Sequence, residues 1–466
     1  MLLARRRGRL LCGQELRVSG KLESGSPAFG SLSFCCFQSG VGASITLRTT
    51  LGGKISTLLR RLTHVLTVLG LVLGCQVAIL AGQETADNRI PGNLSFHLAE
   101  PLNASAFDHF YNLDYDRAIQ EFQQVLERHP DDPFAVNHVL TGIMFRELYR
   151  IGALNTADYS NDSFIGKIHQ EPDPRVKEEI KALVNRATLL EEKRLQANPN
   201  DIDALYARGV TRAQFSTYTA LMEHAWFSAL RNAVGARRDH ERVLELAPGY
   251  TDAKLIVGAH NYVMGSLPWA VKAAVSVVGL SGSRDKGLDY LRGAANGHGE
   301  TSTDAKILLA LFLRRERRFD ESLEIIRGLI PAYPRNVLLA LEEGNLERSL
   351  GRDQEAAVTY RKIWQSGKEG RYGAAHYEAA ALNLGELLRS QKDYAGAATA
   401  YEQVSEISRP DPEVLQKANL GAGEMYDLLE KRDLALKKYQ AVIASNAGSP
   451  PAETARKYMK EPYRQD

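Results

Sequence analysis

Past residue 100 the apolar and polar positions of the chain repeat as a motif. A charged turn is followed by a small residue, and an aromatic or aliphatic residue stands four positions later. Five stretches align on it: LDYDRAIQEFQQVLERHP (113–130), RRFDESLEIIRGLIPAYP (317–334), GRDQEAAVTYRKIWQSG (351–367), KDYAGAATAYEQVSEISRP (392–410) and KRDLALKKYQAVIA (431–444). The small residues are Ala118, Ser322, Ala356, Ala397 and Ala435, and the large ones Phe122, Ile326, Tyr360, Tyr401 and Tyr439. Twelve residues before each small one stands another: Ala106, Ala310, Gly344, Gly385 and Gly423. Spacing of three to four along one face marks helices.

The step from Ser322 to Ala356 is 34 residues. That period, with small residues at positions 8 and 20, an aromatic at 24 and proline near 32, resembles the tetratricopeptide repeat. The resemblance implies an all-α, right-handed superhelical solenoid, in which each helix pair buries its apolar face only by stacking on its neighbours. Pro130, Pro199, Pro248, Pro334 and Pro410 stand where second helices should stop. Three less regular units carry Gly142 with Ala187, Gly209 with Ala236, and Gly258 with Gly287. Eight units are therefore expected, expanded ones within 99–300 and regular ones within 301–448, followed by a tail at 449–466. The expansions fall between the two helices of units two, three and four, at Asn155–Pro174, roughly Tyr218–Asn232, and Ser266–Arg284. Trp226, Phe227 and Trp269 in them are candidate partner contacts, against the plainer reading that the inserts pack over the solenoid and bury themselves.

Residues 1–57 show no such periodicity. They read as a disordered or mis-called N-terminal extension, with the true start further on, near Val41 or Leu51, or as an Arg- and Ser-rich transit peptide. Residues 58–82 have the pattern of a signal peptide: Arg60 and Arg61, an apolar run from Val65 to Leu80 broken only by Thr67 and Gln76, and a small-residue exit at Ala81-Gly82. Cleavage there, retention of residues 65–80 as an anchor, and lipidation at Cys75 all stay open. Residues 83–98 read as a linker. The net charge of +2 hides an asymmetry, because residues 1–64 hold ten Lys/Arg against Glu15 and Glu23. The remainder is mildly acidic, which argues against nucleic acid as a partner. Cys12, Cys35, Cys36 and Cys75 all precede Ala81, so the repeat region has no disulfide, thiolate metal site or cysteine nucleophile.

No catalytic, cofactor or metal motif is evident. GLSGSRDKG (279–287) lacks the Gly-Lys-Ser/Thr ending of a phosphate loop and the order of a nucleophile elbow. The histidines show no metal spacing. Recognition remains. In tetratricopeptide-repeat proteins the concave surface is lined by first helices, and carrying that over places Arg146, Arg314, Arg348 and Arg389 at position 12. Arg315 is at position 13, Asn345 at position 9, and Ile307, Leu341, Leu382 and Leu420 at position 5. Guanidinium groups in a groove suit carboxylates or an acidic peptide, and the position-5 residues would add buried contact; a plain solvated helix face is the alternative. The expected role is a non-enzymatic scaffold outside the cytoplasm that binds a protein or peptide partner in assembling or organising a cell-envelope complex. It would be periplasmic or envelope-associated, with membrane contact through residues 65–80 or the 266–284 insert. A membrane-anchored organelle receptor, or an enzyme with its site in the inserts, are the rival expectations.

Overall fold

The computed structural model describes residues 100–154, 171–267, 281–373 and 375–465, all within the compact unit Lys54–Asp466. Among them are seventeen α-helices and no strand. Sixteen form eight consecutive pairs. Unit 1 is α1 (Pro101–Tyr111) and α2 (Tyr115–Arg128); unit 2 is α3 (Pro133–Arg150) and α4 (Pro174–Ala197). Unit 3 is α5 (Ile202–Leu221) and α6 (Trp226–Leu246); unit 4 is α7 (Ala253–Ser266) and α8 (Arg284–Ala295). Unit 5 is α9 (Ser302–Arg315) and α10 (Phe319–Leu329); unit 6 is α11 (Val337–Ser349) and α12 (Asp353–Lys368). Unit 7 is α13 (Ala379–Ser390) and α14 (Tyr394–Gln403); unit 8 is α15 (Pro412–Leu428) and α16 (Arg432–Ser445). Each helix packs on the next in chain order. The segment read as a tail forms one more helix, α17 (Pro450–Lys460), which buries Ala452 and Ala455 against unit 8.

Local chemistry sets the boundaries. Asp132, Asp173 and Asp411 each precede a proline and accept a bond from the backbone N–H two residues on, an N-cap followed by a residue with no N–H to orphan. Most first helices end alike. A residue with positive φ (Leu113, Gly152, Arg317, Gly351, Lys392, Glu430) lets the next N–H bond the carbonyl five residues back, as Asp393 N does to Leu388 at 3.0 Å. This is the Schellman turn, and outside unit 2 it sends the second helix back antiparallel within three residues.

The paired small and large positions meet as expected in units 6 to 8. Tyr360, Tyr401 and Tyr439 lie across Gly344, Gly385 and Gly423 so closely that a Cβ on Gly385 would fall 2.5 Å from the Tyr401 ring. Each tyrosine hydroxyl emerges beyond its glycine and donates to a polar residue of the first helix: Asn345, Glu386 and Asp427, at 2.7–2.8 Å. In unit 3 His240 takes the large position against Gly209. Burial, with no aromatic hydroxyl to exit, holds its imidazole down at about 4.

Two expectations need correction. The expansion placed near 218–232 is not an inserted loop. α5 and α6 are each about a turn and a half longer than the helices of a regular unit and meet at the turn Met222–Ala225. The inserts around 155–170 and 268–280 lie outside the described residues. The second correction concerns the concave side. α3, α5 and α7 are buried around most of their circumference rather than along one stripe. Units 1 and 2 meet units 5 to 7 across the interior: the Tyr111 and Tyr333 rings are 5.0 Å apart, Asn112 Oδ1 accepts from Arg335 N at 3.0 Å, and Asn336 Nδ2 donates to Tyr111 O at 2.7 Å. Tyr149 Oη accepts from His376 N at 3.1 Å. The cause is the apolar lining. Ile307 and Leu338 face Phe110 and Leu113 across a cavity of about 130 Å³, and the hydrophobic effect closes that surface on itself.

Candidate peptide-binding site

The arginines at position 12 do not form one continuous row. Arg146 pairs with the exposed Asp116 of α2 at 2.9 Å and is itself half-buried. Arg314 is 8% exposed and bonds Glu342 of the next unit at 2.5 Å. Arg389 repeats that geometry, reaching Glu424 of unit 8 at 2.7 Å. A guanidinium reaching a carboxylate one repeat further on holds neighbouring first helices in register, and a buried carboxylate requires such a partner. Arg315 is half-buried at the end of α9. Arg348 is exposed and makes no ion pair among the described residues. Asn345 is engaged: its Oδ1 accepts both from Tyr360 Oη and from Asn383 Nδ2 at 3.1 Å.

The position-5 residues divide. Ile307 packs against the core of units 1 and 2, and Leu341 is 8% exposed within the core of units 6 and 7. Leu382 and Leu420 are partly buried, against the cores of units 6–7 and 8. The expected groove is therefore filled by the chain itself from unit 2 to unit 6.

Over units 7 and 8 the first-helix face holds something that sequence reasoning missed. Beyond α17, residues 461–465 run extended across the last turns of α15 and α13. Tyr463 N donates to Asp427 Oδ2 at 2.8 Å, and Arg389 Nη2 donates to Tyr463 Oη at 2.9 Å. The Arg389 guanidinium lies 5.4 Å from the Tyr463 ring centroid. Tyr394 Oη donates to Gln465 Oε1 at 2.7 Å. Glu424 is driven up to about 7, by burial first and despite the Arg389 charge beside it. A signal for Asp427 did exist, since alignment puts it at the position 12 that arginine takes in units 5 to 7. Nothing in the repeat period marked the tail.

Among the candidates in the inserts, Phe227 is 84% exposed on the first turn of α6. The side chain of Trp226, and Trp269 altogether, lie outside the described residues. The glycine-rich loop is packed: a Cβ on Gly282 or Gly287 would fall 2.5 Å from the backbone of α7, so these glycines serve close approach. Among the described residues no group of three His, Cys, Asp or Glu is placed to hold a metal ion, and no helix is long and apolar enough to cross a membrane. Residues 65–80 are outside that description.

Stacked helix pairs, glycines under tyrosines and one repeated turn define a helical-repeat solenoid. Residues 110–132 and 380–415 match two family descriptions, both of the tetratricopeptide repeat. The chain carries tetratricopeptide repeats. No curated protein is significantly similar to it in sequence. Solved structures similar to it include one titled functional characterization of Pseudomonas aeruginosa pilF, 14% identical, covering 54% of this chain and 97% of that one, TM-score 0.33. The Cut9–Hcn1 hetero-tetramer of the APC/C is 14% identical, covering 77% and 55%, TM-score 0.40. A human IFIT1 dimer with PPP-AAAA is 15% identical, covering 86% and 87%, TM-score 0.36. At such scores the likeness carries nothing beyond what the helix pairing already establishes.

Proposed function

We propose that this protein is a non-enzymatic scaffold that works outside the cytoplasm, holding segments of partner proteins in the assembly or organisation of a cell-envelope complex. One observation carries the reading: Arg389 and Asp427 on the first helices of units 7 and 8, with Tyr394 at the start of α14, already hold an extended stretch of polypeptide through a guanidinium, a carboxylate and a hydroxyl. Main-chain and aromatic anchoring of this kind does not depend on a folded ligand. Arg348, one unit earlier and exposed, extends the face toward unit 6. The location rests on the export-like pattern of residues 58–82.

Two measurements test this. Mass spectrometry of the protein from its native cells should place the mature N-terminus at Gly82 or Gln83. A chain that keeps residues 65–80 and survives alkaline carbonate washing in membranes would support the anchored-receptor reading instead. Cross-linking from position 348 of the full chain in envelope preparations should give defined partners, and Arg348→Glu should cut their recovery at least tenfold. Equal recovery would remove Arg348 from the binding face.

A further inference from the structure

The C-terminal residues have the features of a ligand rather than of a cap. Pro462 cannot continue α17, and its fixed φ turns the chain into an extended path. Of the five described residues that follow the helix, only Tyr463 is even half-buried; Glu461, Pro462, Arg464 and Gln465 are exposed. Besides the helix-capping bond of Glu461 N to Lys457 O, the segment is held by three hydrogen bonds, one cation–π contact and an edge-on ring contact of Tyr463 with Tyr458 at 5.2 Å. Ordering five residues, four of them exposed, costs conformational entropy comparable with what so few contacts return. The segment is therefore free to exchange with solvent or with a competitor.

The receiving side differs. Arg389 also pairs with Glu424, and Asp427 with Arg432 at 2.8 Å and Tyr439 Oη at 2.8 Å, contacts in which the tail takes no part. Asp427 is fully buried at its side chain yet still aims Oδ2 at the tail N–H. The site is thus built by the repeats and merely visited by residues 461–465, so little reorganisation is needed to bind another segment.

We propose that Arg389, Asp427 and Tyr394 form a binding site for an extended segment of a partner protein carrying a tyrosine, and that residues 461–465 are its intramolecular competitor. The proposal rests on the scaffold reading and gives it a ligand class. The ligand's tyrosine stacks on Arg389 and accepts its hydrogen bond, its own N–H goes to Asp427, and a side-chain acceptor two residues on meets Tyr394. A phenylalanine ligand keeps the stacking and loses the hydroxyl bond, so it binds more weakly than tyrosine.

The test uses a fluorescein-labelled peptide with the sequence of residues 458–466 and the full chain truncated after Glu461, read by fluorescence anisotropy. Saturable binding is expected, at least tenfold tighter than to the intact chain, and lost at least tenfold when the peptide carries Tyr463→Ala or the truncated chain carries Arg389→Ala. The full-length Tyr463→Ala variant, which keeps the whole backbone, should likewise bind the peptide better than the intact chain. Circular dichroism on each protein establishes that the solenoid is intact. Failure of both folded variants to bind, or binding equal to that of the intact chain, overturns the proposal. The cross-linking above is independent of this peptide. Partners found there without peptide binding here would refute the tail site and leave the scaffold reading standing.

Discussion

Glu191 shows what a single side chain carries in this interior. It sits on α4, fully buried, and accepts a 2.5 Å hydrogen bond from Thr211 while its second oxygen has no partner among the described residues. Burial pushes its carboxyl up to about 7, and Thr211 and the nearby Arg208 charge only partly oppose that. The unfolded carboxyl ionises near 4.5 while the folded one holds its proton to about 7. Stability is therefore lost as pH rises across that window. Glu191→Gln stays neutral throughout. Its thermal stability relative to the parent chain should climb from pH 5 to pH 8 by on the order of 1–3 kcal/mol, since a tenfold change in proton affinity is worth about 1.4 kcal/mol. A difference independent of pH in thermal melts would mean the carboxyl ionises normally. His240 acts in the opposite sense: its imidazole is held at about 4, so its contribution is lost as pH falls below the ordinary histidine range.

At the scale of the element, the turn between paired helices is the most repeated device and the least visible in sequence. Each needs one residue in the left-handed region, yet only Gly152 and Gly351 are suited to it; Leu113, Arg317, Lys392 and Glu430 adopt φ of 60–64° there. A side chain in that region costs about 1 kcal/mol or more. Glycine gives back part of the gain by loosening the unfolded chain. Lys392→Gly and Glu430→Gly should each stabilise the array by about 0.5–1 kcal/mol in urea titrations, since the Lys392 and Glu430 backbone N–H groups keep their bonds in the glycine variants. The signal that did reveal these turns was indirect: a charged residue just ahead of each small-residue helix start. The first-helix glycines at 344, 385 and 423 were legible because a tyrosine lies over each, a contact that recurs at nearly even spacing and so shows as a period.

Over the whole array, closure is the property that matters. Asn112 links unit 1 to Arg335 at the start of unit 6, across 223 residues of sequence. A hydrogen bond so distant in sequence survives only if both partners are already held close. Asn112→Ala should therefore raise amide hydrogen exchange in residues 109–115 and in 333–339 together. Faster exchange confined to 109–115 would mean that the two ends do not support one another. The same closure explains why the arginine face was only half legible. Alignment names the residue at position 12, but whether that position meets solvent, a neighbouring acid or the chain's own tail depends on where the array turns back.

The sequence by itself determined the helix pairs, their number, their breaks at proline and the glycine–tyrosine contacts, because each is a short-range consequence of residue size and backbone freedom. The tertiary structure alone decided that the interior is filled from unit 2 to unit 6, that Arg314 is buried against Glu342, and that Tyr463 reaches Arg389. Those depend on small rotations between units summed around the solenoid, and no local pattern of residues records that sum.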